Sequence, residues 1–216
     1  MPRFDAVLFD LDGTLLYTLP DIHAALCRAL TSCGHRPNTM DETRRFVGSG
    51  SRALVARSLG AGAPDEEIDR VLAHYRAQYK AALMVETVPY PGMEDALRTL
   101  HEAGVKLGVV TNKPHENAVP MIAHYFPGLF GVTEGSREGR AFKPDPAAAK
   151  DAMAALGVTK DRTLFVGDSD VDYCTAANTG LAGVLCAWGY RAKEELLKFP
   201  ALAIIDAAAE LPAVIL

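Results

Sequence analysis

Apolar positions along this chain keep two different rhythms. From Pro20 to Gly34 they fall at helical spacing, as in Ile22-His23-Ala24-Ala25-Leu26-Cys27-Arg28-Ala29-Leu30, and that spacing returns over residues 41–46, 51–59 and 64–84. No strand pattern interrupts these stretches. On either side of them the apolar residues come instead as short continuous runs: Ala6-Val7-Leu8-Phe9, then residues 105–110, 129–133, 163–166, 181–187 and 201–205, with helical stretches between. Such runs read as strands buried on both faces. Strands alternating with helices predict a parallel sheet, here of about six short strands. The chain is therefore expected to be α/β, with a parallel-sheet core over residues 1–16 and 88–216 and an α-helical bundle inserted over residues 17–87. Gly104 is placed to end the helix over 92–103, and Pro114 to open the next, which continues to about residue 125 despite Pro120.

With 216 residues, 49% of them hydrophobic, the chain is long enough for that core and an inserted unit. A net charge of −5 and the lack of any Lys/Arg run argue against a nucleic-acid partner. An anionic substrate would then need a local cation. Cys27, Cys33, Cys174 and Cys186 form no CxxC pair and are too sparse for a secreted disulfide scaffold, so reduced thiols in a cytoplasmic protein are expected. Asp5, Asp10 and Asp12 break the N-terminal apolar stretch, which argues against a secretory segment, and no apolar run is long enough to cross a bilayer.

Polar residues at the ends of the apolar runs carry the candidate chemistry. Asp10 and Asp12 come directly after Phe9, at the end of a strand, where open α/β sheets bind ligands, and Gly13 lets the chain turn away. An Asx turn closing the strand is the plain alternative. Three later segments bear on that choice: Thr111-Asn112-Lys113 behind Leu107-Gly108-Val109-Val110, Lys143-Pro144-Asp145-Pro146 at a helix start, and Gly167-Asp168-Ser169-Asp170-Val171-Asp172 behind Thr163-Leu164-Phe165-Val166.

With Asp10-Leu11-Asp12-Gly13-Thr14 first and these segments following in order, the sequence resembles the haloacid dehalogenase-like superfamily, in its phosphatase branch, over nearly the whole chain. The resemblance implies a Rossmann-like core with a helical cap inserted between the first and second motifs, hinged near residues 16–19 and 85–90. It implies Mg²⁺-dependent hydrolysis of a small phosphorylated metabolite, as in the phosphoglycolate phosphatase-like group. A β-phosphoglucomutase-like mutase, a pyrophosphatase and a non-catalytic regulatory binding module stay open beside it, and so does a homodimer.

Phosphoryl transfer needs a nucleophile in line with the leaving oxygen and a positive field around the phosphate. Asp10 can supply the nucleophile through an aspartyl-phosphate intermediate. By the resemblance, Asp12 protonates the leaving alkoxide and then takes a proton from water. The same resemblance places Mg²⁺ against Asp10, the backbone carbonyl of Asp12 and Asp168, with Asp172 supporting that shell. The Thr111 hydroxyl and the Asn112 N–H would meet phosphate oxygens, and Lys143 would offset the charge shared by Asp10 and the phosphoryl group. Read alone, Lys143 would be an exposed helix start, Asp170 and Asp172 a solvated acidic one, and Lys113 a residue facing solvent.

In the helical block, Val47-Gly48-Ser49-Gly50-Ser51-Arg52 is a glycine-bearing turn, which the resemblance makes a specificity loop. Arg52 is either a contact for a substrate carboxylate or second phosphate, or a solvated helix-start residue. His115 reads as a helix-face residue, and no His pair has metal spacing. Trp188-Gly189-Tyr190-Arg191 is similar to a pattern of phosphoglycolate phosphatase-like members, or else packs. One departure stands out: Tyr17 precedes Thr18 where relatives commonly carry Asp before Ser or Thr. It bears on the hinge rather than on phosphoryl transfer.

Overall fold

Strand β1 (Ala6–Phe9) is buried along its whole length, as a central strand of a parallel sheet must be. The computed structural model describes residues 2–216. After β1 the chain forms β2 (Leu16–Tyr17), the helices α1 (Leu19–Ser32), α2 (Met40–Phe46), α3 (Ser51–Leu59) and α4 (Asp65–Ala81), then β3 (Val88–Pro89). It continues with α5 (Met93–Glu102), β4 (Lys106–Pro114), α6 (His115–Tyr125), β5 (Phe130–Ser136), α7 (Ala147–Leu156), β6 (Thr163–Gly167) and α8 (Asp170–Thr179). Strand β7 (Ala182–Cys186), α9 (Lys193–Leu196), β8 (Ala203–Ile205) and α10 (Leu211–Ile215) complete it. Two compact units result: Met1–Leu16 with Pro89–Leu216, and Tyr17–Val88.

The first unit holds a six-stranded sheet in the order β5-β4-β1-β6-β7-β8, with every neighbour pair parallel. From β1 the chain builds outward through β4 and β5, then returns to the other side of β1 for β6, β7 and β8. The order therefore reverses at β1, and the crevice beyond its C-terminal end is where such sheets receive ligands. Helix α7 packs its Ala148, Ala149, Ala152 and Met153 against Leu8 and Phe165 of the sheet, and small side chains let helix and sheet approach closely. Helix α5 buries Met93, Ala96, Leu97 and Leu100 and gives way to Gly104 at φ +83°, as its sequence predicts.

The strands differ from expectation in the short β2–β3 pair, in β5, which runs on to Ser136, and above all in β4. The apolar run predicts a strand ending at Val110, but β4 continues through Thr111-Asn112-Lys113 to Pro114 and stays paired with β5, across a register shift between Val110 and Pro114. The Thr111 segment is a bulged strand end rather than a free loop.

In the second unit, α1 and α4 pack together, α4 contributing Ile68, Val71, Leu72, Tyr75 and Tyr79. Helix α2 starts on a capping box between Thr39 and Glu42. Its pattern would carry α4 to Met84, yet the helix stops at Ala81 and Met84 adopts φ +67°. The reason is Asp21, which is 3% exposed and turns its carboxylate on the chain beyond. It accepts hydrogen bonds from the backbone N–H groups of Val85 (3.0 Å), Glu86 (2.9 Å) and Thr87 (2.9 Å), and from the Thr87 hydroxyl at 2.7 Å. These donors are thereby withdrawn from any helical ladder. Among the described residues no helix is long and apolar enough to cross a membrane.

Candidate active site

Register brings the motif residues together. Phe9 stands opposite Val109 of β4 and Val166 of β6, so Asp10 emerges level with Val110 and Gly167, and its N–H still donates to the Val166 carbonyl at 2.9 Å. Asp168 follows directly after the end of β6. Oxygen atoms of Asp10, Asp168 and Asp172 lie within 4.8 Å of one another, and all three residues are buried.

Lys143 is the cation among them. Its ammonium lies 2.9 Å from an Asp10 oxygen and donates to Asp172 Oδ1 at 2.7 Å, with its side chain 2% exposed. The Phe165 ring lies 5.5 Å beneath that ammonium. Asn112 fixes the backbone that carries Lys143: its amide oxygen accepts the Lys143 N–H at 2.7 Å and its amide nitrogen donates to the Lys143 carbonyl at 3.2 Å. Lys143 is thus an interior charge, not the exposed helix start that its Lys-Pro dipeptide alone would suggest.

Asp168 is held by the first motif and by the Trp188-Gly189-Tyr190-Arg191 segment. The backbone N–H of Tyr190 donates to its Oδ2 at 2.6 Å, and the Thr14 hydroxyl to its Oδ1 at 3.4 Å. Trp188 ties the same turn to the first loop through its indole N–H, 3.0 Å from the Thr14 carbonyl. Two glycines press on this carboxylate. A Cβ at Gly13, where φ is +85°, would meet Asp168 Oδ2 at 2.5 Å, and one at Gly189 would fall 2.2 Å from Asp168 Cβ. Asp172 is committed on both oxygens: Oδ1 to Lys143, and Oδ2 to the hydroxyl (2.6 Å) and N–H (3.1 Å) of Ser169 in the capping box of α8. Asp170 is exposed, 3.9 Å from Arg191.

Lys113 departs furthest from the reading as a solvent-facing residue. Its side chain is 2% exposed and its ammonium donates to Asp12 Oδ1 at 2.8 Å. The signal that would have found it is its spacing, two residues past Thr111 as Asp12 is two past Asp10. Thr111 accepts the N–H of Lys113 on its hydroxyl oxygen at 3.3 Å, which leaves the hydroxyl proton to be donated to an anion. Arg52 belongs to the second unit, where it is exposed and paired with Asp65 (2.7 Å) and Asp69 (3.2 Å). His115 accepts the Gly135 N–H at 3.4 Å on its Nδ1, and all four cysteines are free thiols.

Burial of so many acids beside one ammonium leaves the pocket short of positive charge. Burial pushes the Asp168 carboxyl up to about 8, with Asp172 and Asp10 adding to the effect. Burial likewise raises Asp10 to about 6, against the pull of Lys143. Burial alone would lower the Lys143 ammonium, but the charges of Asp10 and Asp172 outweigh it and the net shift is upward. Cys186 is raised well above the ordinary thiol range, chiefly by burial and then by Asp168. This donor set is of the kind that suits a hard divalent cation with oxygen ligands. Asp10 and Asp168 are the carboxylates placed to bind one, with Asp172 held by Lys143 and Ser169 beside them.

A parallel sheet whose order reverses over clustered acids, with a lysine from a separate loop among them, places a ligand site at the switch point of an α/β fold. The family model for haloacid dehalogenase-like hydrolases matches residues 4–180, and the chain belongs to that family. Among its relatives, a phosphoglycolate phosphatase of Cereibacter sphaeroides is 41% identical over 193 residues, 86% of each chain. One from Pseudomonas putida is 36% identical over 222 residues, which cover 98% of this chain and 79% of the relative. The crystal structure of a candidate phosphoglycolate phosphatase from Lactobacillus delbrueckii subsp. bulgaricus superposes with a TM-score of 0.94 at 33% identity, covering 100% of this chain and 99% of the other.

Proposed function

We propose that this protein is a Mg²⁺-dependent phosphatase that hydrolyses a small phosphomonoester of the phosphoglycolate type through an aspartyl-phosphate on Asp10. The observation that carries the reading is the gathering of Asp10, Asp168 and Asp172, with the buried Lys143 ammonium against Asp10 and Asp172 and Asp12 two residues past the nucleophile. Relatives named phosphoglycolate phosphatase, at 41% and 36% identity, support the substrate class.

In the first half-reaction an Asp10 oxygen forms a bond to phosphorus as the bond to the leaving oxygen breaks, and Asp12 gives that oxygen its proton. In the second, water attacks the same phosphorus, Asp12 takes a proton from it, and inorganic phosphate leaves with Asp10 restored. Lys143 keeps Asp10 anionic and offsets the charge that gathers on the phosphoryl oxygens. The Thr111 hydroxyl and the Asn112 N–H hold two of those oxygens in place. Asp10 and Asp168, with the Asp12 carbonyl, would hold Mg²⁺, whose charge would offset that of the nucleophile and the substrate phosphate. In this reading residues 17–87 are the cap domain that selects the substrate. Arg52 is its candidate contact for a carboxylate, made by exchange for Asp65 and Asp69.

The test is phosphate release from a panel of phosphorylated metabolites that includes 2-phosphoglycolate, with Mg²⁺ and with a chelator. Release that needs Mg²⁺ and vanishes in Asp10→Asn is the expected result. Undiminished release by Asp10→Asn would refute the nucleophile assignment, and exchange between two sugar phosphates without release would mark a mutase.

A further inference from the structure

Two buried ammonium groups serve this pocket: Lys143 lies against Asp10 and Lys113 against Asp12. We infer that Lys113 is a positioning residue for Asp12: it fixes which carboxyl oxygen exchanges the proton with the substrate, and so sets how well the enzyme acts on phosphate esters with poor leaving groups. The inference rests on the phosphatase reading above.

The geometry leaves Asp12 little other freedom. Its backbone lies in a turn closed by hydrogen bonds from the N–H groups of Thr14, Leu15 and Leu16 to the Leu11 carbonyl and from Gly13 to Leu16. What remains to be fixed is the side-chain rotation, and Lys113 Nζ, 2.8 Å from Oδ1, fixes it. Lys113 is itself anchored: it lies on β4, which pairs with β5, and its N–H donates to the Thr111 hydroxyl. Side chains carried on strands hold such positions more closely than side chains on loops. The pair is shielded as well, with the Lys113 side chain 2% and the Asp12 side chain 15% exposed. Taking an ion pair out of water costs enough that it adds little to stability, so orientation is what the contact contributes.

An ammonium has no acceptor and a carboxyl oxygen engaged by it is poorly placed to carry a proton. Oδ1 accepts from Lys113 whether Asp12 is charged or neutral. The transferable proton therefore resides on Oδ2, and the rotation that Lys113 imposes on Oδ1 aims Oδ2. Misplacing an acting group by about 1 Å costs on the order of 10²-fold in rate, and the cost falls only where the proton is needed. An alkyl phosphate such as 2-phosphoglycolate expels a strongly basic alkoxide that must be protonated. The leaving group of p-nitrophenyl phosphate departs as an anion.

The experiment compares kcat/KM for 2-phosphoglycolate and p-nitrophenyl phosphate in the wild type, Lys113→Met, Lys113→Arg and Asp12→Asn. In Lys113→Met the ratio of alkyl to aryl activity is expected to fall by roughly 10- to 100-fold, through kcat rather than KM. Asp12→Asn should show the same signature at larger size, and Lys113→Arg should recover part of the ratio. Should thermal melting find Lys113→Met unfolded, Lys113→Arg still decides, because the longer guanidinium keeps the charge but moves the contact. Equal losses on both substrates, or a loss confined to KM, would overturn the assignment while leaving the phosphatase reading intact. A wild type inactive on both substrates would overturn the two together.

Discussion

Each unit of this protein buries an acid, and the two are treated in opposite ways. Asp21, in the helical unit, is surrounded by donors: three backbone N–H groups and a hydroxyl meet its carboxylate. In the sheet unit, Asp10 and Asp172 share the Lys143 ammonium and Asp168 stands beside them without it, and burial holds Asp10 near 6 and Asp168 near 8. Burial of charge is common to both; the balance left over is not. A carboxylate fully met by the chain fixes the chain, whereas acids left short of positive charge are prepared for something that arrives from outside.

The sharpest break of this contrast is Asp10→Asn. Turnover should fall by at least about 10⁴-fold, measured as phosphate release, while the melting temperature holds, because Lys143 keeps Asp172 as its partner. Asp21→Ala should do the reverse. Stranding several buried N–H groups is expected to cost about 3–5 kcal/mol in urea unfolding; a loss below about 1 kcal/mol would show that Asp21 is no anchor.

A smaller effect is expected from pH. An acid whose folded pKa lies above its unfolded value of about 3.9 binds more protons folded than unfolded, so the stability it contributes falls as pH rises. For Asp10 and Asp168 the window lies between about 4 and their raised values of about 6 and about 8. The melting temperature of chelator-treated protein should therefore drop from about pH 4 to about pH 8, and Mg²⁺ should flatten the drop by binding the ionised pair. Identical slopes with and without the cation would place it elsewhere. The smallest change is expected in Arg52→Ala. If its guanidinium leaves Asp65 and Asp69 for a substrate carboxylate, KM should rise several-fold for 2-phosphoglycolate and stay constant for p-nitrophenyl phosphate.

The sheet was legible because strands buried on both faces leave continuous apolar runs, and each of the six runs from Ala6 to Ile205 forms a strand. Asp10, Asp168, Asp172 and Lys143 were legible as a set only through the resemblance that their ordered motifs carry; read alone, Lys143 and Asp172 pass for exposed residues at helix starts. What escaped was carried by contacts between distant polar residues. Nothing local marks Asp21 as the stop for α4, some sixty residues on, or joins Lys113 to Asp12. The overrun of β4 escaped for a related reason: Thr111-Asn112-Lys113 is polar, and only pairing with β5 keeps it extended. Asn112 was expected to offer its backbone to phosphate, and its side chain proves to clasp the Lys143 backbone.

Asp172 has a double engagement whose consequence reaches beyond the pocket. One oxygen closes the opening turn of α8 with Ser169 and the other receives Lys143, so that turn cannot fray without setting the ammonium adrift. Helix ends are ordinarily the first parts of a fold to breathe; here each breath would disturb the nucleophile's counter-charge. Conversely, whatever steadies Lys143 from the solvent side lengthens the life of the turn, and deuterium uptake at the Asp172 amide becomes a gauge of occupancy.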